Sequence, residues 1–493
     1  MQKISGLLIP GPEVEAYPGS LVVEGGKIAA VLPEPCADND FYICPGFIDS
    51  HTHPLETGLA LFFPDLSPAE SISAVLESIS LALNQKPDLP IMLAFNFDPD
   101  RIKEHRYLYC RELDRLCRHK PVFVYRIDGH SGIANSPALN LLPEPITDGV
   151  EFDGAGRPTG VLRGSAYETI SSQLKRQLPA EVVREAFLLT ARLAARRGIT
   201  TLAALIGSNE LEAREWAALL DVLASMPVRM EPFLQTWQPD LAKRLGLPRI
   251  GGCLLLDGSF GSHTAALSED YSDAPGFKGL LYHTDEEITA FITRATELGL
   301  QTAFHAIGDR AIEQLVRCHE VIVKKGLGKT LRHRIEHAEL LTLDLIKRIA
   351  ELELILCVQP AFESNWGGPA GMYARRLGKR YLNTNPLRTL WQNGILIAGG
   401  SDSPITPLDP LSDIRAATAL PNDSERLNGR DAFALFTVNA AYSLGIEQQA
   451  GRLKPEFQAD FVILDADPRV STACRVLATY CAGKPVYLET EWR

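Results

Sequence analysis

The sequence has little that would direct the chain out of the cell or into a membrane. Its nine cysteines are odd in number and include no CxxC pair. We therefore expect no disulfide framework and a reducing, cytoplasmic location. The N-terminal stretch is interrupted by Gly and Pro, and it lacks the apolar core, roughly 7–15 residues long, of a signal peptide. No apolar run approaches the ~20 residues that a membrane-spanning helix requires.

Positively charged residues are fewer than negatively charged ones. Lys and Arg number 49 against 61 Asp and Glu, which gives a formal net charge of −12. This balance argues against nucleic acid and against an anionic membrane surface as partners. We expect a small-molecule substrate instead, and the sequence leaves open whether identical copies associate.

Both ends of the chain are typical of short β-strands. Near the start lie KISGLLI and SLVVEGGKIAAVL, with Gly25-Gly26 as a tight turn, and near the end lie FVILDADP and VLATYCAGKPVYL. Neither end has enough strands for a stable sheet of its own. We predict that residues 1–45 and 445–493 pair into one small β-domain.

The middle of the chain, residues 46–444, alternates apolar strands with amphipathic helices, a pattern that predicts a parallel sheet with helical crossovers. Ten segments qualify as strands: FIDSH, IMLAFNF, VFVYRID, TTLAALI, RMEPFLQ, CLLLDGS, TAFHA, HRIEHA, LILCVQP and ILIAGGSD. A (β/α)₈ barrel, the predicted fold, needs eight. The second and third lie in a long stretch rich in Pro and Gly, too long for one crossover. We therefore assign about residues 58–178 to an inserted subdomain over the barrel mouth.

Two histidines follow the first of these strands. His51 and His53 stand two residues apart, so a strand would turn both imidazoles to the same side. Barrel enzymes place their chemistry at the carboxyl ends of the strands. By itself the pair is a weak signal, because a histidine can also be a satisfied core residue.

Three more candidates fall where later strands should finish. They are His305 in TAFHAIGD, His337 in HRIEHAEL and Asp402 in LIAGGSDSP. Imidazole and carboxylate donors suit a borderline cation such as Zn²⁺. The five side chains together predict a divalent metal site, although any of the last three could instead support a ligand from behind.

A divalent metal at this site would favour hydrolysis by a metal-activated water. A bound Zn²⁺ lowers the pKa of its water towards about 7 and polarises a carbonyl oxygen. Asp402 is placed to act as general base and then as general acid for C–N hydrolysis. His337 could hold a second metal or stabilise the developing oxyanion.

The motifs PGFIDSHTH, FHAIGDRA, RIEHAEL, VQPAF and GGSDSPITPLDP resemble those of the amidohydrolase superfamily. RIDGHSGIANSPAL, GRPTGVLRG, LLLDGSFGSHTAAL and GRLKPEFQADFVILDADP narrow the resemblance to amidohydrolase family 3, in the branch similar to N-substituted formamide deformylase. This resemblance covers nearly the whole chain. It implies a barrel with a small β-sandwich built from both termini, and it implies the five residues above as the metal site.

The sequence departs from that branch at three positions. Cys253 replaces a Lys that relatives can carboxylate into a bridging ligand, Gly164 replaces the Glu that closes GVLRE, and His263 replaces the Arg of GSRTAAL. Without an anionic bridge two neighbouring cations repel strongly. We therefore favour one ion, held by His51, His53, His305 and Asp402, over two. Cys253 could be a thiolate ligand or a small buried hydrophobe.

Three residues are candidates for contact with substrate. The resemblance suggests His130, in the inserted region, although a turn-stabilising role is equally open. His263 could reach substrate or remain a loop histidine in solvent. Gln359 ends a strand and could offer its amide. Asp257, by contrast, is expected to order the loop that follows it.

These observations favour a metal-dependent hydrolase of a small N-acyl or N-formyl amide. Deamination of a cyclic amine would use the same donors and is the close alternative. A third interpretation is a degenerate barrel, kept as a non-catalytic binding protein.

Overall fold

The computed structural model describes residues 1–35, 41–127, 129–143, 148–207, 213–327 and 329–490. The chain divides into two compact units. One consists of Met1–Pro54, Ala191–Leu211 and Leu223–Arg493, and the other of Leu55–Thr190 and Glu212–Val222.

The first unit contains a barrel of eight parallel strands. In chain order they are Phe47–Thr52, Ile199–Ile206, Arg229–Leu234, Arg249–Leu255, Gln301–Ala306, Arg334–His337, Ile355–Val358 and Ile397–Gly399. Each of these strands pairs with the next one in chain order, from the first to the eighth. A bridge between Thr52 and Ser403 links the first strand to the segment after the eighth. The predicted barrel is confirmed.

The second barrel strand forms because most of its residues are apolar and both of its faces are buried. All eight residues of Ile199–Ile206 are buried, as expected for a parallel strand between a barrel interior and an outer layer of helices. Ile48, Leu205 and Phe233 lie in one core cluster, against which Cys253 packs. This apolar packing sets the strands in register, and the register brings their carboxyl ends together.

Helices connect the barrel strands and follow the eighth. The α-helices that precede, connect or follow the strands are Ala180–Arg196, Ala213–Leu223, Pro239–Arg244, Asp285–Glu297, Asp309–Lys324, Leu343–Glu351, Pro360–Trp366, Met372–Leu377, Leu387–Gln392, Pro410–Thr418, Gly429–Leu435 and Val438–Ser443. Short 3₁₀ helices occur at Lys329–Leu331, Gly378–Asn383 and Asp423–Glu425. Among the described helices, none combines the length and the apolar character needed to cross a bilayer.

A seven-stranded sheet in the same unit is built from both ends of the chain. In spatial order its strands are Lys484–Leu488, Val476–Cys481, Phe461–Leu464, Tyr42–Pro45, Gln2–Leu8, Tyr17–Glu24 and Lys27–Pro33. Gly25 and Gly26 both have positive φ, 58° and 80°, which the two-residue hairpin turn requires. The pairing of the two termini agrees with the prediction from sequence.

The second unit contains a five-stranded sheet. In spatial order its strands are Met92–Phe97, Val122–Arg126, Ser131–Ala134, Pro158–Arg163 and Val150–Phe152. The first two of these are parallel and correspond to the second and third candidate strands of the sequence. The helices of this part of the chain are Pro54–Phe62, Ile72–Gln85, Cys110–Leu116, Ser136–Leu139 and Gly164–Gln177.

Candidate metal centre

The two histidines of the first barrel strand point to one carboxylate. His51 Nε2 and His53 Nε2 each lie 3.2 Å from Asp402 Oδ1. The backbone holds this arrangement, because the N–H of Asp402 donates to the carbonyl of His51 at 2.8 Å. The buried Asp49 carboxylate accepts from the N–H groups of His51 and Ser401 at 3.0 and 3.1 Å, which ties the first strand to the segment after the eighth.

Asp402 occupies a backbone conformation that few residues adopt. Its φ is +53°, in the left-handed region. Burial opposes ionisation of its carboxyl group, but the neighbouring His51 and His53 imidazoles hold the pKa of Asp402 well below its usual range. The group is therefore an anion that faces the two imidazoles.

His305 and His337 approach the same region from the fifth and sixth strands. The Sγ atom of Cys253 lies 3.6 Å from His305 Nδ1 and 3.9 Å from His337 Nε2. Burial alone would raise the pKa of the Cys253 thiol, but hydrogen bonds from the surrounding histidines hold that pKa well below its usual range. The structure thus places a cysteine sulfur among the predicted donors.

A bulge in the fourth strand directs Cys253 to this position. Gly251 pairs with Ala303 and Leu254 with Phe304, so Gly252 and Cys253 have no partner residue on the neighbouring strand. Gly251 and Gly252 have φ of +92° and +96°. Bulges re-aim side chains in this way and occur next to active sites.

Three of the imidazoles have one ring nitrogen committed to an oxygen acceptor. His51 Nδ1 lies 2.6 Å from Glu336 Oε2, His337 Nδ1 lies 2.8 Å from Gln359 Oε1, and His305 Nε2 lies 3.3 Å from the carbonyl of Gly258. These oxygens accept, so each committed nitrogen carries the hydrogen in the neutral ring. The lone pair is then on the other nitrogen, which faces the centre, as in many metal-ligating histidines.

Glu336 is held behind His51 by a buried arginine. The Arg334 guanidinium donates to both Glu336 oxygens at 2.8 and 2.7 Å, and it also donates to the carbonyl of Ser50 at 2.7 Å. Burial opposes ionisation, but Arg334 and His51 lower the pKa of Glu336. The ion pair therefore fixes the orientation and the tautomer of His51.

Asp257 orders the loop after the fourth strand, as expected from sequence. Its carboxylate accepts from the N–H groups of Ala266, Ile307 and Gly308 at 2.8, 3.0 and 2.8 Å. Burial nevertheless raises the pKa of Asp257 to about 7. One oxygen lies 3.6 Å from His305 Nε2.

The donor set fits a divalent cation. His51 Nε2 is buried and has no hydrogen-bond partner, since its 3.2 Å approach to Asp402 lacks hydrogen-bonding geometry. Ligand atoms of His51, His337 and Asp402 lie within 4.8 Å of one another, as do those of His51, His53 and Cys253. The anions around the imidazoles attract positive charge strongly enough to raise the pKa of His53 to about 10 despite its burial. A cation bound by neutral imidazoles would satisfy the same attraction.

The remaining predicted residues have other contacts. His263, with φ of +58°, lies 3.0 Å from Asp273 through its Nε2. Gln359 is fully buried and accepts from His337, so its visible contact orients an imidazole. His130 and Gly164 belong to the second unit, where His130 is half-buried and Gly164 begins a helix. Contact of His130, His263 and Gln359 with substrate stays a prediction.

Sequence reasoning missed Glu336, Arg334 and the glycine bulge. An Arg and a Glu two residues apart in a segment expected to be a buried barrel strand were a usable signal, because a buried charge is rarely left without a partner. Two adjacent glycines before Cys253 were a second signal, since glycine inside a strand often marks a bulge.

Comparison with known proteins agrees with this geometry. The sequence profile of the amidohydrolase family matches residues 40–487. The chain belongs to the amidohydrolase family. The family resemblance that the motifs indicate is therefore confirmed, and membership makes the protein a metal-dependent hydrolase that acts on carbon–nitrogen bonds.

Three similar proteins span almost the full length of this amidohydrolase. YtcJ of Bacillus subtilis is 31% identical over 469 residues, which are 87% of this chain and 85% of YtcJ. N-substituted formamide deformylase of Arthrobacter pascens is 25% identical over 526 residues, 96% of this chain and 95% of the relative. The crystal structure of an uncharacterized metal-dependent hydrolase from Pyrococcus horikoshii has a TM-score of 0.77 and 27% identity, and covers 95% of this chain and 98% of that one.

Proposed function

We propose that this amidohydrolase cleaves an amide or formamide-like C–N bond of a small molecule, using Zn²⁺ held by His51, His53, His305, His337 and Asp402. The observation that carries the proposal is the commitment of three ring N–H groups to Glu336, Gln359 and Gly258. The nitrogens left with lone pairs all face the Asp402 carboxylate or the Cys253 sulfur. The bound cation would polarise the scissile carbonyl and acidify the attacking water.

Asp402 acts as the general base and then as the general acid. Its carboxylate takes a proton from the water that attacks the carbonyl carbon, and it returns the proton to the nitrogen as the C–N bond breaks. The carboxylate is ionised before the reaction begins, because the neighbouring imidazoles lower the pKa of Asp402, so it is free of its own proton when the water attacks. The hydrogen bond from its backbone N–H to the carbonyl of His51 holds it in place.

His337 completes the ligand set. Gln359 fixes its Nδ1 hydrogen and so turns Nε2 toward the donor cluster. A metal ligand requires its imidazole to be held in one orientation. Its backbone φ of +69° is a further constraint on the position of the side chain.

The named relative supports the substrate class. N-substituted formamide deformylase matches along nearly the whole of both chains. A formamide carries a small acyl carbon, so a site of this kind needs little room on the acyl side. We therefore place N-substituted formamides first among candidate substrates, followed by short N-acyl amines.

A steady-state panel tests the proposal. The full-length protein, stripped with a chelator and reloaded with Zn²⁺, is assayed with N-benzylformamide, N-acetylbenzylamine and aminated heterocycles. We expect turnover of the formamide, loss of that turnover on stripping, and recovery on reloading. Turnover of the heterocycles alone would replace the proposal with a deaminase. A protein that retains less than ~0.2 equivalents of metal after reloading would instead be a binding protein.

A further inference from the structure

The Cys253 sulfur belongs to two separate groups of potential metal ligands. One consists of His51, His53 and Cys253, and the other of Cys253, His305 and His337. In each group the ligand atoms lie within 4.8 Å of one another. Cys253 is the member that these two groups share.

The distances around Cys253 match those of a tetrahedral site. With metal–sulfur bonds near 2.3 Å and metal–nitrogen bonds near 2.0–2.1 Å, the two ligand atoms stand about 3.5 Å apart. The observed separations are 3.6 Å to His305 Nδ1 and 3.9 Å to His337 Nε2. On the other side, nitrogen and oxygen ligands should stand about 3.4 Å apart, and His51 and His53 are each 3.2 Å from Asp402.

We infer that Cys253 is a thiolate ligand shared by two divalent cations, one held with His51, His53 and Asp402 and the other with His305 and His337. This inference rests on the proposed function for the presence of a metal. It departs from the single ion that the sequence alone favours, because the sulfur lies where it can supply the missing anionic bridge. A negative charge between two cations offsets their mutual repulsion.

The geometry of the fourth barrel strand supports a ligand role for the Cys253 sulfur. A Cβ on Gly252 would lie 2.4 Å from Leu205 Cδ2 and 3.0 Å from Phe233 Cβ, and a Cβ on Gly251 would lie 2.2 Å from the carbonyl oxygen of Ala303. Both glycines are therefore needed for the bulge that presents Cys253. The bulge leaves Gly252 and Cys253 without a partner residue on the fifth strand, and the Cys253 sulfur lies beside His305 and His337.

Binding releases a proton and involves no redox change. The proton leaves the cluster formed by Cys253 and its neighbouring histidines as the metal–sulfur bonds form, and it passes to the buffer. Thiolate favours softer cations, so the site should prefer Zn²⁺, Co²⁺ and Cd²⁺ to Mg²⁺ or Mn²⁺.

Cobalt titration tests the shared ligand directly. The full-length chain, stripped with a chelator, is titrated with Co²⁺ while its absorbance is recorded. We expect about two equivalents to bind, and the near-ultraviolet sulfur-to-cobalt band to grow through both of them. A single equivalent, or two equivalents without this band, would overturn the inference.

A serine variant and its control isolate the sulfur. Cys253→Ser should lose the band and bind the second equivalent at least ~10-fold more weakly. Cys481→Ser serves as the control, because that cysteine lies in the terminal sheet and contacts the carbonyl of Thr200. Retention of the band in Cys253→Ser would contradict the assignment. If this variant does not fold, X-ray absorption of the Zn²⁺-loaded natural protein decides, since each zinc should have one sulfur at about 2.3 Å.

The outcomes separate the two proposals. A protein that binds two cations through sulfur but hydrolyses no C–N bond contradicts the proposed function alone. A protein that hydrolyses formamides with one cation and no sulfur ligand contradicts the shared thiolate alone.

Discussion

His51 and Glu336 form a fully buried pair in which Nδ1 of the imidazole lies 2.6 Å from a carboxylate oxygen. The carboxylate is itself held by Arg334, so the imidazole cannot turn without breaking an ion pair inside the barrel. A hydrogen-bond acceptor at the ring nitrogen that does not bind the metal fixes a histidine ligand in one orientation and tautomer. The sixth strand therefore contributes to the centre through Glu336 as well as through His337.

Glu336→Gln should weaken metal binding. Glutamine keeps the shape of the side chain, but it has one acceptor oxygen and no charge. It therefore cannot accept from both Arg334 and His51, and His51 is held less firmly in its orientation. We expect the dissociation constant of Zn²⁺, measured by chelator competition, to rise about 10- to 100-fold. Glu353→Gln is the matched control, because its side chain is 65% exposed and pairs with Lys329 at the surface. An unchanged dissociation constant in Glu336→Gln would remove the positioning role.

Asp402→Asn should abolish most of the activity and preserve the fold. Asparagine tolerates the left-handed backbone at φ +53° better than other neutral residues do, so the backbone need not move. It cannot accept the water proton, and we expect kcat/KM to fall at least ~10²-fold. Asp409→Asn is the control, because asparagine can still cap the helix Pro410–Thr418 by accepting from Ser412. Activity within a few-fold of the natural enzyme in Asp402→Asn would identify another base.

Gly252→Ala should destabilise the barrel and disturb Cys253. The added Cβ would meet Leu205 and Phe233 at a φ of +96°. Gly299→Ala provides the comparison, since its φ is +73° and no atom lies within 4 Å of the added Cβ. We expect Gly252→Ala to lose about 2 kcal/mol more than Gly299→Ala in urea unfolding, because it adds overpacking to backbone strain. Equal losses in the two variants would show that the strand adapts to the extra carbon.

The buried histidine His333 should make stability depend on pH. Burial lowers its pKa to about 4, below the ordinary value of about 6.5 that applies in the unfolded chain. Between these values the unfolded state binds more protons, so the stabilisation is complete above about pH 6.5 and is lost as the pH falls. At pH 5 this histidine alone should cost about 2 kcal/mol relative to pH 7.

His333→Asn tests that dependence. The asparagine oxygen can replace His333 Nδ1, which accepts from the Thr302 N–H at 3.0 Å, but it does not titrate. Urea unfolding at pH 7 and pH 5 should show a smaller loss in the variant, by about 2 kcal/mol. Equal pH dependence in the two proteins would mean that the histidine is not held neutral by its surroundings.

The strands of the fold, and the meeting of their carboxyl ends, could be predicted from sequence. The ten candidate strands were correct as strands, and the excess of two was resolved by the length of the Pro- and Gly-rich stretch. His51, His53 and Asp402 could be expected to meet, because parallel strands in a barrel end at the same face. These predictions depend on the period of side chains along a strand and on topology, both of which a sequence expresses locally.

The finer contacts could not be predicted in the same way. Simple alternation from Asp257 places Cys253 on one strand face, whereas a bulge at Gly252 actually sets its direction. Contact of Gln359 with substrate stays a prediction, and the contact of its amide oxygen with His337 Nδ1 was not foreseen from sequence. Such contacts depend on register between neighbouring strands and on tautomers, and neither is written in the residues of one strand alone.

The junction between the first and eighth barrel strands has a consequence for synthesis of the protein. Ser401 donates its N–H to the Asp49 carboxylate across 352 positions of sequence. A nascent chain that has displayed His51 and His53 must wait for nearly the whole barrel to leave the ribosome before Asp402 can join them. The set of residues that we propose as metal ligands is therefore complete only at the end of barrel assembly, and products truncated before the eighth strand should bind a divalent cation poorly however well their early strands fold.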